Sequence, residues 1–185
     1  CAKNGGQAYS SIDELLRDEK IDAVIICTDA STHFKYAQMA LSADKHVLLE
    51  KPICDTAEQI KTLSELATTK NKVCMPSHNY VYAETMQRVK SHLSKGNLGK
   101  VVNFWALYNK KHPAEMGSPN LTMRELMIHH IYSMLYFIGR PKSVYATASN
   151  VHFNDPAAHD QIMIIAEYTD GTIATLWGSF SADDR

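Results

Sequence analysis

The sequence contains no apolar run of about 18 residues, the length that a membrane-spanning helix needs, so no membrane span is predicted. Charge of one sign is not in excess either, because 19 basic and 20 acidic residues leave a formal net charge of −1. This balance argues against nucleic acid or an acidic membrane surface as a partner. Internal repeats and low-complexity segments are also lacking. With 45% hydrophobic residues over 185 positions, the chain is predicted to form one large domain or two small ones.

Cysteine is scarce, and no two cysteines form a C-x-x-C pair. The four residues are Cys1, Cys27, Cys54 and Cys74, and three of them lie in or beside strand-like apolar runs. This pattern excludes a disulfide framework or zinc site and indicates reduced thiols in a cytoplasmic protein. A signal peptide is not recognisable. Because the chain does not begin with methionine, we expect its start to be missing.

The first half alternates between helix-like and strand-like segments. Helices are predicted at 11–18, 34–43 and 56–70, and strands at 23–28, 46–52 and 72–78. Ser10 or Ser11 and Thr56 are candidate N-caps. The strand-like runs are continuously apolar, as is typical of parallel strands that are buried on both faces. This order predicts an α/β fold with a parallel sheet and helices on both of its faces.

The alternation of predicted helices and strands stops after about Asn79. Helices are predicted at 84–95, with Gly96 just past the end, and at 121–139, and strands at 101–109, 143–151, 161–168 and 172–180. The last two strands are joined by Thr169-Asp170-Gly171, which is a hairpin signal. The second half is therefore predicted to be an α+β region in which one long helix lies on an open, mostly antiparallel sheet.

Polar residues gather at the carboxyl ends of all three predicted parallel strands. They form the stretches Thr28–His33, Glu50–Pro52 and Ser77–Tyr80. Ligands in open α/β sheets bind at the carboxyl ends of the strands, so these stretches predict a ligand site. The alternative is that loops simply become polar where strands end.

The long helix carries a second candidate group. Glu125 and His129 are four residues apart and share one face, whereas His130 points elsewhere. A carboxylate beside an imidazole suits a general acid/base, although a purely structural pair is the alternative. A metal site formed by this pair together with His33 or His78 is a further alternative. The H-E-x-x-H spacing and a second carboxylate are lacking, so no metal is predicted.

Four stretches together resemble the Gfo/Idh/MocA family of NAD(P)-dependent oxidoreductases. They occur in the family's order and are AVIICTDASTHFKYAQMAL, KHVLLEKPI, NYVYAETMQRVKSHLSKGNLGKV and RELMIHHIYSMLYFIGRP. The second, with its E-K-P signature, is the most specific. The resemblance implies a partial Rossmann-type dinucleotide-binding domain over residues 1–79. A partial substrate and oligomerisation α+β domain would follow over residues 80–185.

The resemblance also implies roles for individual residues. Lys51 would lie between nucleotide and substrate and hydrogen-bond the reacting hydroxyl, and the peptide bond before Pro52 would be cis. His129 falls on the family's catalytic histidine, and Glu125 falls on its aspartate. The cofactor side would be lined by Thr28, Ser31, Thr32, His33, Glu50, Lys51 and Pro52. Asn79 and Tyr82 match the cleft-lining segment, and with Tyr80 they are predicted on the substrate side.

Several positions depart from the family's pattern. Asp29 and Ala30 replace the turn proline and asparagine, Glu125 is one methylene longer than aspartate, and Tyr132 replaces the later aspartate of the helix. Glu84 stands where proline is usual. The family's N-terminal G-x-G-x-x-G loop is lacking as well. The chain is therefore expected to be an internal part of a longer enzyme, without that loop and without the C-terminal end.

The favoured function is transfer of a hydride between NAD or NADP and a secondary alcohol or ketone of a sugar, cyclitol or related small molecule. One alternative is a non-catalytic family member or fragment that acts as a binding or interaction module. Another is a metal-dependent hydrolase or lyase built on the histidines. Because alternating segments such as VVNFWALY place apolar residues on both faces of the second sheet, a homo-oligomer through that sheet is predicted.

Overall fold

The computed structural model describes residues 5–118, 124 and 126–182. The chain forms two compact units, residues 1–77 and residues 78–185. Among the described residues, no helix combines the length and the apolar character needed to cross a membrane.

The first unit is a parallel sheet with three helices. Its strands are β1 (Ala23–Ile26), β2 (His46–Leu49) and β3 (Cys74–Pro76), and its helices are α1 (Ile12–Arg17), α2 (His33–Ser42) and α3 (Ala57–Thr69). The strands lie in the order β1-β2-β3, and both pairs are parallel. Buried side chains from strands and helices form one core, including Leu16, Ile26, Leu41, Val47, Leu49 and Leu63. The predicted α/β alternation with a parallel sheet is confirmed.

The parallel strands are shorter than the predicted segments. The segment predicted as strand 46–52 forms β2 only as far as Leu49, and the Glu50 N–H still donates to the Ile26 carbonyl oxygen of β1 at 3.0 Å. Beyond this point the backbone N–H of Lys51 donates to the Glu50 carboxylate at 3.0 Å instead of to a neighbouring strand. Pro52 has no N–H to donate. The regular pairing of β2 thus ends at Glu50, the first residue of the E-K-P segment.

Two helices of this unit begin at the predicted caps. The Ser11 hydroxyl oxygen accepts a hydrogen bond from the Glu14 N–H at 3.2 Å. The Thr56 hydroxyl oxygen accepts one from the Gln59 N–H at 3.2 Å, and the Gln59 side chain accepts one from the Thr56 N–H at 3.3 Å. This reciprocal pair is a capping box, which satisfies two N–H groups that the first helical turn leaves unpaired.

In its described part, the second unit is a four-stranded sheet with two α-helices. Its elements are α4 (Glu84–Ser94), β4 (Asn103–Asn109), α5 (Ile128–Ile138), β5 (Ser143–Ser149), β6 (Gln161–Glu167) and β7 (Ile173–Ser179). The strand order is β4-β7-β6-β5. The β5–β6 and β6–β7 pairs are antiparallel, and the β4–β7 pair is parallel. The mostly antiparallel sheet is confirmed. Residues 121–123 and Glu125 of the predicted long helix lie outside the described residues.

The start of α5 packs against β7 at a glycine. Met127 and Met134 share a core with sheet residues such as Ile162 and Leu176. A Cβ atom at Gly178 of β7 would lie 2.5 Å from the Met127 sulfur, a distance that real Cβ atoms do not tolerate. Glycine at position 178 therefore allows the close approach that positions the first turn of α5, which carries His129.

We expect Gly178→Val to lower the free energy of unfolding by about 2 kcal/mol, because the added methyl groups overpack this contact. Urea unfolding followed by circular dichroism measures the change. Thr175→Val is the matched control, since Thr175 lies on β7 with its side chain on the other face and only partly buried. Equal stability of the two variants would contradict this account of the α5–β7 contact.

Candidate functional site

Side chains at the ends of β2 and β3 are tied together in the first unit. The Glu50 carboxylate accepts a hydrogen bond from the Ser77 hydroxyl at 2.9 Å through one oxygen. Its other oxygen accepts the Lys51 N–H at 3.0 Å. Glu50 therefore fixes the backbone direction at Lys51, and it links the E-K-P segment to the residue after β3. The Lys51–Pro52 peptide bond is cis, as the resemblance implies.

A second hydrogen-bonded turn follows β1. The Thr32 hydroxyl donates to the carbonyl oxygen of Asp29 at 2.7 Å, and the hydroxyl oxygens of Thr28 and Thr32 are 2.7 Å apart. Since a hydroxyl has one hydrogen, the Thr28 hydroxyl is the donor to Thr32. Both threonine side chains are thus oriented by the turn, and Ser31 is exposed beside them.

His33 connects the loops that follow β1 and β2. Its side chain is 2% exposed at the start of α2. One ring nitrogen, Nδ1, lies 2.7 Å from the Pro52 carbonyl oxygen, and Nε2 lies 3.0 Å from the Thr28 carbonyl oxygen. The ring therefore holds together the two segments that carry most of the residues predicted for the cofactor. A direct role of His33 in lining the cofactor stays a prediction.

In the second unit, the hydroxyl of Tyr132 is the centre of another cluster. Tyr132 lies on α5 and is 5% exposed. Its oxygen is 2.7 Å from Nδ1 of His129, accepts the N–H of Tyr80 at 3.2 Å, and donates to Oδ1 of Asn79 at 3.2 Å. Asn79 and Tyr80 belong to a short 3₁₀ turn, Asn79–Tyr82. The turn and the helix are thus joined at one atom.

Ring stacking reinforces this cluster. The His78 and Tyr132 rings stack with centroids 4.2 Å apart, and the Tyr80 and His129 rings stack with centroids 4.5 Å apart. Burial lowers the pKa of His78, so the neutral ring is favoured in this stack. Within the described residues, His78 Nε2 is buried without a hydrogen-bond partner. The stacks hold the His129 ring from its face while the Tyr132 hydroxyl holds it at Nδ1.

The structure brings the predicted residues together in two groups. The first unit gathers Thr28, Thr32, His33, Glu50, Lys51 and Pro52 at its strand ends, with Ser31 in the same turn. The second unit gathers Asn79, Tyr80 and His129 around the Tyr132 hydroxyl. Tyr82 lies in the same turn and is 58% exposed. Glu125 lies outside the described residues.

Tyr132 is not among the predicted site residues, and His78 is predicted only as part of the polar stretch Ser77–Tyr80, without a role of its own beyond the metal site that was not favoured. The sequence does contain a signal for Tyr132, because it lies three residues after His129 and so on the same face of α5. His78 immediately precedes Asn79. Its stacking partner is 54 positions away, however, and no local pattern identifies such a contact. Across residues 5–118, 124 and 126–182, no group of three or more His, Cys, Asp or Glu residues is arranged to hold a metal ion.

A parallel α/β sheet with hydrogen-bonding side chains at its strand ends, followed by an α+β sheet unit, is typical of two-domain NAD-binding oxidoreductases. Comparison with protein families agrees with this class. Residues 1–78 match the family model described as an oxidoreductase family with an NAD-binding Rossmann fold, and residues 86–185 match the GFO/IDH/MocA C-terminal domain. The chain belongs to the Gfo/Idh/MocA oxidoreductase family.

Individual relatives support this assignment. The uncharacterized oxidoreductase YhhX of Escherichia coli is 32% identical over 139 residues, which are 73% of this chain and 40% of YhhX. The NADP⁺-dependent scyllo-inositol 2-dehydrogenase IolW of Bacillus subtilis is 29% identical over 147 residues, 76% of this chain and 41% of IolW. A crystal structure of an oxidoreductase from Bacillus cereus superposes with a TM-score of 0.83 at 28% identity, covering 96% of this chain and 52% of that one. The chain thus spans about two fifths of the length of these curated relatives.

Proposed function

We propose that this chain carries the nicotinamide side and the acid/base group of an NAD- or NADP-dependent dehydrogenase or reductase. Its substrate is a secondary alcohol or ketone of a sugar, cyclitol or related small molecule. The observation that carries the proposal is a set of two hydrogen-bonded groups at the ends of three parallel strands, Thr28 with Thr32 after β1 and Glu50 with Lys51 and Ser77 after β2 and β3. Ligands of open α/β sheets bind at such ends. The similarity to a cyclitol dehydrogenase supports this class of substrate.

The side chains at these strand ends fit a nicotinamide nucleotide chemically. Threonine hydroxyls and the Glu50 carboxylate are hydrogen-bonding groups of the kind that ribose hydroxyls and a carboxamide require. Their orientations are already fixed by contacts within the first unit. When bound, the cofactor supplies the acceptor or donor of the hydride. Thr28, Ser31, Thr32, His33, Glu50, Lys51 and Pro52 are the residues proposed to hold it.

Lys51 and His129 have complementary roles in this proposal. The Lys51 ammonium stabilises the negative charge that develops on the substrate oxygen as the alcohol loses its proton. His129 accepts that proton during oxidation and returns it during reduction. Asn79, Tyr80 and Tyr82 are proposed to contact the substrate. Glu125, four residues before His129, is proposed to assist it.

A direct test is an assay of the protein that carries this chain, with NAD⁺ or NADP⁺ and a panel of cyclitols and sugars. Formation of the reduced nicotinamide is followed by its absorbance, and the reverse reaction is tested with the matching ketones. The proposal predicts turnover of at least one ring polyol with one of the two cofactors. Folded protein that gives no turnover with either cofactor in either direction would refute it.

We further propose that two copies of this chain associate through the outer face of the second sheet. The strand register places Trp105, Thr175, Ile165 and Tyr145 side by side on this face. Trp105 is 65% exposed and Tyr145 is 62% exposed. Large aromatic side chains are enriched at protein interfaces, and an uncharged row can pair with its own copy across a two-fold axis.

Trp105→Glu is expected to raise the dissociation constant of this dimer at least about 100-fold, because it brings two carboxylates together near the symmetry axis. Sedimentation velocity at micromolar concentration measures the change. Ser91→Glu adds the same charge at an exposed position on α4 and is expected to leave the dimer intact. A wild-type protein that sediments as a monomer would contradict the proposed interface.

A further inference from the structure

Among the described residues, three polar atoms lie within hydrogen-bonding distance of the Tyr132 hydroxyl oxygen, and their chemistry restricts where hydrogens lie. The backbone N–H of Tyr80 can only donate, at 3.2 Å. Oδ1 of Asn79 can only accept, at 3.2 Å, and so receives the single hydroxyl hydrogen of Tyr132. The third atom is Nδ1 of His129, at 2.7 Å.

This arrangement determines which nitrogen of His129 carries the proton. With its hydrogen directed to Asn79, the Tyr132 oxygen offers only lone pairs to Nδ1 at 2.7 Å. Two lone pairs facing each other at this distance repel, so Nδ1 must carry a hydrogen that it donates to Tyr132. In the neutral ring the proton-accepting lone pair is then on Nε2.

We propose that Tyr132 is a positioning residue that holds His129 in the Nδ1–H tautomer and thereby makes Nε2 the atom that exchanges a proton with the substrate. The role of His129 in the reaction rests on the proposed function, whereas its tautomer does not. Tyr132 occupies the position where the family resemblance places an aspartate. A neutral phenol therefore does the orienting at this position in this chain.

The proton balance of the oxidation is simple in this arrangement. The substrate hydroxyl proton would move to Nε2 of His129, and the hydrogen on the carbinol carbon would leave with its electron pair to the oxidised nicotinamide that residues of the segments 28–33 and 50–52 are proposed to hold. The carbon is oxidised to a carbonyl carbon. The Nδ1–H bond to Tyr132 persists while the ring is positively charged, so the phenol gains and loses no proton. Reduction runs through the same positions in reverse.

The neighbouring rings make a selective substitution available. The Tyr132 ring stacks on His78, and the His129 ring stacks on Tyr80. Tyr132→Phe keeps the stacked ring and removes only the hydroxyl. Tyr136→Phe is the matched control one turn further along α5. Tyr136 contacts Lys90 through its carbonyl oxygen and its ring face, and both contacts survive loss of its hydroxyl.

The tautomer is read from long-range ¹H–¹⁵N correlation spectra of the histidine-labelled protein without cofactor, with the His129 signals assigned by their loss in His129→Gln. Wild type and Tyr136→Phe are expected to show His129 as Nδ1–H. Tyr132→Phe is expected to shift the ring to a mixture in which Nε2–H is substantially populated. An Nε2–H ring in the wild type, or an unchanged Nδ1–H ring in Tyr132→Phe, would overturn the proposal.

A second variant covers the case in which Tyr132→Phe does not fold. Asn79→Ala removes the acceptor of the hydroxyl hydrogen from an exposed position, so that the hydrogen can turn toward Nδ1 of His129. We expect its His129 signals to move toward Nε2–H. No change in the Asn79→Ala spectrum would count against the hydrogen assignment from which the proposal is derived.

Turnover provides an independent readout. Tyr132→Phe is expected to lower kcat by about 10- to 100-fold with KM changed less than about threefold, since the ring is present but less often in the required tautomer. Tyr136→Phe is expected to match the wild type. An active wild type with equal kcat in Tyr132→Phe would overturn the proposal. A wild type that lacks turnover would refute only the proposed function, because the spectra decide the tautomer without it.

Discussion

Replacing Lys51 with methionine is expected to lower kcat/KM for hydride transfer about 1,000-fold. Methionine keeps much of the length and the apolar stem of lysine, so the change removes the charge while largely preserving packing. Lys51 directly follows Glu50, whose carboxylate accepts the Lys51 N–H and binds Ser77. Because neither of these two hydrogen bonds involves the Lys51 ammonium, the loss of rate reports on the cation itself.

Lys61→Met is the matched control for this prediction. Lys61 lies on α3 with a highly exposed side chain, and its Nζ atom is 3.8 Å from a carboxylate oxygen of Glu65. Exposed ion pairs of this kind contribute little, so rate and stability are expected to stay close to those of the wild type. Steady-state kinetics with the substrate found in the polyol assay measures both variants. If kcat/KM of Lys51→Met were within threefold of the wild-type value, the E-K-P lysine would have no part in the chemistry.

Replacing His129 with alanine is expected to lower kcat about 1,000-fold, because general acid–base catalysis by a positioned side chain is worth two to four orders of magnitude. The truncation leaves the space beneath the Tyr80 ring and beside the Tyr132 hydroxyl that the imidazole normally fills. Added imidazole is therefore expected to restore part of the lost rate in a saturable way.

His92→Ala is the corresponding control. His92 is exposed on α4 and its Nδ1 contacts the Asn97 side chain at 3.1 Å. It is expected to retain full activity and to show no response to imidazole. If His129→Ala retained the wild-type rate, or if imidazole affected both variants equally, His129 would not be the group that exchanges the proton.

Much of the fold is predictable from local patterns in the sequence. The N-cap at Ser11 and the capping box at Thr56 follow from residues only three positions apart. The hairpin at Asp170-Gly171 follows from its turn residues, and Gly171 has the positive φ of 85° that favours glycine. Continuous apolar runs predicted parallel strands, and alternating runs predicted the sheet of the second unit. Because these signals depend only on neighbouring residues, a single sequence is enough to predict the caps, the turn and the strands.

Other features depend on contacts between distant residues. The parallel pairing of β4 with β7 joins segments about 70 residues apart, and nothing in either segment specifies it. The burial of His33 between two carbonyl oxygens depends on where the segment after β2 lies. In the same way, the hydrogen bonds of the Tyr132 hydroxyl could not be predicted from local sequence, because they depend on the turn with Asn79 and Tyr80 lying beside α5.

The strand ends were predictable as a group for a general reason. Parallel strands place their carboxyl ends at one edge of the sheet, so three polar stretches that each follow an apolar run must come close together. Their internal hydrogen bonds were not predictable. The Glu50–Ser77 contact links residues 27 positions apart and depends on the register of β2 and β3.

The most direct test of the central claim is to ask where a nicotinamide binds on this chain. The ¹⁵N-labelled protein is titrated with reduced nicotinamide mononucleotide, the half of the cofactor that the strand ends are proposed to hold, and its amide spectrum is recorded. The account predicts saturable shifts concentrated at the amides of residues 28–33, 50, 51 and 77. Shifts that are absent at millimolar ligand, or that concentrate on the outer face of the second sheet, would contradict it.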